Sequence, residues 1–107
     1  MSRFIGGSFV LKKKMVENLE LCLKGQVFAK LKDLPIENTY TISYGYDHVC
    51  GYFVQLEYPI DTPIVLDIDS LFDKMNGHEF ARILGEFIPD DRVAQTAGVM
   101  GYLGMEI

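Results

Sequence analysis

From residue 38 to residue 68, apolar and polar side chains alternate with a period of two. Tyr40, Ile42 and Tyr44 stand among Thr39, Thr41 and Ser43, and Tyr52, Val54, Leu56 and Tyr58 stand among Phe53, Gln55 and Glu57. Ile64, Leu66 and Ile68 repeat the pattern after Pro59 and Pro63. Successive side chains of a strand point to opposite faces, and β-branched and aromatic residues suit a pleated, half-buried surface. The stretch therefore predicts a three-stranded antiparallel meander over about 38–68. Setting Tyr44 opposite Tyr52 brings Ile42 to Val54 and Tyr40 to Leu56, so the apolar sets share one face; a slip of one residue would expose them all. Gly45 and Gly51 bracket a loop around Asp47, His48 and Val49, where residues of positive φ are expected.

The flanking segments follow a longer period. Met15, Val16, Leu19, Cys22 and Leu23 form a helical stripe, with Ser8 placed to cap it and Gly25 to stop it. Leu19, Leu21 and Leu23 also alternate, as do Val27, Ala29 and Leu31 beyond a Lys24-Gly25-Gln26 turn, so a hairpin over residues 8–33 competes with the helix. Lys, Met, Glu and Leu are strong helix formers, which favours the helix. After Asp69 the helical period returns. Asn76 and Glu79 have the spacing of a capping box, and Phe80, Ile83, Leu84 and Phe87 follow at helical intervals up to Pro89. Asp90 and Asp91 suit the electropositive start of a further helix with Val93, Ala97 and Met100 as its stripe. Its glycines, Gly98, Gly101 and Gly104, suit close helix packing or fraying. Helices that bury one face of an antiparallel sheet give a two-layer α+β sandwich, expected as a single domain over 1–107.

Composition narrows the class. Hydrophobic residues make up 49% of the chain, enough to build a core and too many for a disordered chain. The formal charge of −5 is uneven: seven Lys/Arg face five Asp/Glu up to residue 55, and three face ten beyond it. So acidic a second half opposes a phosphate-tracking surface, and nucleic acid is not an expected partner. Lys12, Lys13, Lys14, Lys24, Lys30 and Lys32 are the residues that would carry such binding. The start shows no apolar export segment, and no apolar run is long enough to span a bilayer, which points to the cytoplasm and away from a membrane partner. Cys22 and Cys50 are then expected as free thiols.

Few residues suggest chemistry. Ile64-Val65-Leu66-Asp67-Ile68-Asp69 resembles the first motif of the haloacid-dehalogenase-type phosphatases. The resemblance implies a nucleophilic Asp67 and an acid/base Asp69 beside a magnesium ion. It departs from the family where Ser70-Leu71 replaces the usual Gly-Thr, and it ends an antiparallel meander where the family motif opens a parallel sheet. The same residues suit a solvent-facing Asp67 and an Asp69 or Ser70 that caps the next turn. A divalent site using Asp67, Asp69 and Asp73 would need further oxygen ligands. Asp47, His48 and Cys50 have the types of an activated thiol, and Cys22, His48, Cys50 and His78 are soft metal ligands, although without the paired spacing of a zinc site. No cofactor is expected.

Tyr40, Tyr44, Tyr46, Tyr52 and Tyr58 crowd the first hairpin, and a tyrosine serves equally a core rim or a binding surface. Tyr46, His48, Phe53 and Gln55 are the candidate binding residues, with Phe53 and Val65 on a second sheet face open to a partner or covered by the N-terminal segment. The expectation is a small non-catalytic protein that binds another protein or its own copy through that face or through the acidic helical half. The competing readings are a metal-dependent hydrolase or phosphotransfer enzyme at Asp67 and Asp69, and nucleic-acid binding through the lysines.

Overall fold

A computed structural model describes residues 2–59 and 64–105. Its elements run β1 (Ser2–Val10), α1 (Lys13–Glu20), α2 (Gly25–Lys32), β2 (Thr39–Asp47), β3 (Gly51–Glu57), β4 (Ile64–Asp69), α3 (Gly77–Phe87) and α4 (Arg92–Tyr102). The sheet is antiparallel in the order β1-β2-β3-β4, with β1 and β4 at its edges. The architecture is the expected α+β sandwich, but the meander has four strands where the sequence predicts three.

The added strand is β1, and a bulge hides it from a period-two reading. Phe4 pairs with Tyr44 and Phe9 with Tyr40, so two residues five apart on β1 match two residues four apart on β2. The extra residue sits at Gly6-Gly7, where Gly7 takes φ +86°. A bulge turns both phenylalanines to the same side and breaks the alternation. Gly6 is also a close approach: a Cβ there would lie 2.5 Å from Ile88 Cδ1 and 3.0 Å from Ile42 Cγ2. Ser8, expected as a helix cap, lies in this strand with its hydroxyl 3.2 Å from that of Thr41. The N-terminal segment therefore extends the sheet at its edge, from which Arg3 reaches over Phe53 on the second face.

Residues 8–33 form neither one helix nor a hairpin. They hold the end of β1 and two short helices, and Gly25, at φ +59°, enters α2 instead of only ending α1. The helices bury Leu19, Val27 and Leu31, and Leu23 between them is buried too, while Leu21 is left 86% exposed.

The hairpin keeps the expected parity with a different register. Tyr46 faces Tyr52, Tyr44 faces Val54 and Ile42 faces Leu56, a shift of two residues from the predicted pairing. Parity fixes which face each side chain takes, so Ile42, Val54 and Leu66 all turn inward and are buried. Gly45 lies inside β2, and the turn contracts to His48, Val49 and Cys50, closed by Gly51 at φ +76°. Asp47 Oδ1 accepts from the Val49 N–H at 2.7 Å and from the Cys50 N–H at 3.3 Å, replacing the backbone partners these groups lack. Pro63, expected to precede the last strand, lies outside the described residues.

α3 follows its expected pattern. Asn76 Oδ1 accepts from the Glu79 N–H at 2.8 Å, Glu79 Oε1 accepts from the Asn76 N–H at 3.2 Å, and Phe80, Ile83, Leu84 and Phe87 are buried. α4 starts at the Asp91 cap, but its buried stripe is Ala94, Ala97, Gly98 and Gly101. Val93 is 50% exposed, because α4 packs on α3 through its smallest residues.

The buried side chains form one cluster that joins Tyr40, Ile42, Tyr44, Tyr52, Val54, Leu56, Leu66 and Ile68 of the sheet to residues from all four helices. Tyr52 stacks on Phe80 at 4.9 Å and Phe9 on Phe87 at 4.5 Å. Each large apolar side chain so buried contributes about 1.5–3 kcal/mol of transfer free energy, which is what holds the helices to this one side. Among the described residues no helix is long and apolar enough to cross a membrane.

Candidate binding face

The pairing that buries the inner residues turns the others outward in rows across the sheet. One row runs Arg3, Gly45, Phe53, Asp69 and the next Ile5, Ser43, Gln55, Asp67. Gly45 has no side chain to separate its neighbours, and the Arg3 guanidinium lies over the Phe53 ring, 5.9 Å from its centroid. Phe53 is consequently only 7% exposed, although it belongs to no part of the core cluster. A cation held against an aromatic face is worth about 0.5–1 kcal/mol where solvent reaches it. Among the described residues the cavity beside Phe53, about 150 Å³, is bounded by Arg3, Asp47, Cys50, Phe53, Gln55, Asp67 and Asp69.

The sequence-derived site residues divide between the two sides of the sheet. Phe53, Gln55, Asp67 and Asp69 come together in the cavity. Tyr46 and His48 do not join them: Tyr46 points inward, edge-on to Tyr52 at 5.3 Å, and His48 packs edge-on against Tyr46 at 6.0 Å. Arg3 and Asp47 complete the outer site. Nothing in the sequence marked Arg3, because its strand was hidden by the bulge; Asp47 was visible only as part of the hairpin loop.

The carboxylates have distinct duties. Asp67 is exposed on the outer face, as the solvent-facing reading expects. Asp69 is buried and its Oδ1 accepts from the Phe72 N–H at 2.6 Å, capping the turn after β4. Asp73 is drawn to the other side, where it pairs with Lys30 at 2.8 Å and accepts from the Asp69 N–H at 3.1 Å. Among the described residues no group of three or more His, Cys, Asp or Glu side chains could hold a metal ion. β4 is an antiparallel edge strand, so the parallel-sheet setting of the phosphatase motif is missing.

The cavity is electronegative. Burial pushes the Cys50 thiol above its ordinary range, and Asp69, Asp47 and Asp67 push it further, which favours the protonated thiol over the nucleophilic thiolate. The Val49 and Cys50 N–H groups hold the Asp47 carboxyl below its ordinary range, so it stays ionised. The two ion pairs found among the described residues are Lys12 with Glu37 and Lys30 with Asp73, which removes two lysines from the nucleic-acid set. The Gln55 side-chain oxygen is buried without a hydrogen-bond donor among the described residues.

The remaining candidates lie apart. Cys22 and His78 line a different cavity, of about 560 Å³, between the α1–α2 turn and the start of α3, far in the fold from His48 and Cys50 at the hairpin tip. That cavity already contains its anion: Glu79 Oε2 accepts from the Lys24 N–H at 3.1 Å, so one carboxylate serves the starts of both α2 and α3. No family model, no curated protein and no solved structure matches the chain.

Proposed function

We propose that this is a non-catalytic, cytoplasmic protein that works by binding another protein through the outer face of its sheet. The observation that supports this most is the division of labour across the sheet: all four helices pack on one side, and the other exposes Ile5 and Asp67 beside the part-buried Gln55 and the buried Ser43 and Phe53. Proteins commonly bind through a central aromatic or arginine anchor ringed by polar residues, and Phe53 under Arg3 has that composition. The raised thiol and the scattered soft ligands supply no competing chemistry.

The test is capture from a native lysate with matched variants. Ile5→Arg and Asp67→Arg change exposed outer-face positions, and Leu21→Arg changes an exposed one at the end of α1. A partner retained by the wild type and by Leu21→Arg, and lost by both outer-face variants, supports the reading. Loss with Leu21→Arg alone moves the interface to the helical side.

One observation favours a second reading, a divalent-metal hydrolase or phosphotransfer enzyme: Asp67 and Asp69 share one cavity. It requires the thermal midpoint to rise at millimolar magnesium or manganese, because a ligand of the native state alone stabilises it by mass action.

A further inference from the structure

Of the three asparagines in the chain only Asn76 precedes a glycine; Leu19 follows Asn18 and Thr39 follows Asn38. An asparagine before glycine carries a chemistry of its own. Once its amide proton has gone to solvent, the nitrogen of the following residue can attack the asparagine Cγ, and the side-chain nitrogen leaves as ammonia to give a five-membered imide. Water then opens the ring. Hydrolysis at Cγ leaves aspartate; hydrolysis at the backbone carbonyl leaves isoaspartate, whose main chain runs through Cγ and is longer by one methylene. Glycine hinders the attacking nitrogen least, because it has no Cβ. Asn76 is exposed and lines the cavity of about 560 Å³ on the helical side, so water reaches it.

We infer that Asn76-Gly77 is a deamidation site latched by the capping box of α3, so that it reacts only when the first turn of that helix opens. Three groups of Asn76 are tied at once. Its Oδ1 accepts from the Glu79 N–H at 2.8 Å, its N–H donates to Glu79 Oε1 at 3.2 Å, and its carbonyl accepts from the Phe80 N–H at 3.0 Å. Ring closure needs Cβ and the Gly77 nitrogen close to eclipsed about the Cα–C bond of Asn76. At ψ 172° they stand well apart, and turning that bond pulls the carbonyl off Phe80. Gly77, packed against the Gly101 carbonyl of α4, has no room to follow. The two products leave different helices behind. Aspartate caps a helix as well as asparagine does. Isoaspartate lengthens the main chain where Gly77 has no slack and shifts Glu79, whose Oε2 also accepts from the Lys24 N–H at the start of α2. One reaction, which consumes water and releases ammonia, thus unfastens the starts of two helices.

The experiment is incubation of the whole chain at mildly alkaline pH, once folded and once in concentrated urea, with peptide mapping by mass spectrometry and chromatographic separation of the aspartyl and isoaspartyl products. Asn76 should react roughly tenfold or more slowly in the folded chain than in urea, because the reaction waits on a local opening. Glu79→Gln keeps an oxygen that reaches back to the Asn76 N–H and should react as slowly as the wild type, whereas Glu79→Ala should react several-fold faster. Circular dichroism verifies that each variant is folded. A second measurement does not depend on those variants. The isoaspartyl form, isolated from the wild type, should unfold at lower urea than the parent chain, and Asn76→Asp should unfold with it at the parent's midpoint. Equal rates in the folded chain and in urea, a Glu79→Ala chain no faster than the wild type, or a Glu79→Gln chain as fast as Glu79→Ala each overturns the latch. An isoaspartyl form as stable as the parent overturns the claim that the start of α3 has no slack.

Discussion

A phenol hydroxyl sealed in a core without a hydrogen bond costs stability, and Tyr44 carries one: the residue is fully buried and its Oη has no partner among the described residues. Tyr44→Phe removes that oxygen while keeping the ring between Phe4 and Phe80, so urea denaturation at pH 7 should show stability unchanged or raised by up to about 1 kcal/mol. The effect should grow at high pH. Burial, and then the charge of Asp91, push the Tyr44 hydroxyl up to about 12 from 10.0. A raised native pKa means that the unfolded chain ionises first, so the contribution is complete below pH 10 and is lost as pH rises from 10 toward 12. The phenylalanine variant should therefore lose less stability between pH 9 and pH 11 than the wild type; an equal loss contradicts the assignment. Glu79 behaves oppositely, as a buried carboxylate with its bonds made. Glu79→Ala leaves the Asn76 and Lys24 N–H groups without acceptors and should cost about 2 kcal/mol, read from the denaturation midpoint. At this scale the sequence was informative where chemistry repeats at a fixed spacing, as in Asn76 and Glu79. It was silent on the bond from Glu79 to Lys24, which joins residues far apart in the chain.

Between elements, contact distance decides. α3 and α4 approach so closely that a Cβ on Gly77 would land on the Gly101 carbonyl, and one on Gly101 would lie 2.6 Å from Phe80 Cδ2. Backbone cannot yield as a side-chain tip can, so Gly77→Ala should destabilise by about 2 kcal/mol or more. Gly85, in the same helix and with open space around it, is the control: Gly85→Ala should stabilise by about 0.5–1 kcal/mol through helix propensity. Equal effects would mean that the helices are further apart than described. The glycines of α4 were legible as a packing surface, while Val93 and Met100 were mistaken for its core because a helix seated on small residues reverses the usual hydrophobic signal. The strands divide in the same way. β2, β3 and β4 were legible because parity survives an error of two residues, and β1 was not, because a bulge changes the parity within a single strand.

The described residues place one buried apolar cluster between sheet and helices, and the opposite sheet face carries Ile5 and Phe53 among polar groups. The candidate site was half visible from sequence: Phe53, Gln55, Asp67 and Asp69 follow from alternation alone, whereas Arg3 required the fourth strand and Tyr46 and His48 fell on the other side. What the sequence could not supply was burial on the outer face, since Phe53 is covered by a residue fifty positions away. Photo-crosslinking reads the claim that this face meets a partner most directly. A benzophenone amino acid is placed at Ile5 on the outer face, or at Leu21 on the helical side, and the chain is irradiated in its native cells. The account predicts a discrete protein adduct from position 5 and none from position 21; an adduct from position 21 alone contradicts it.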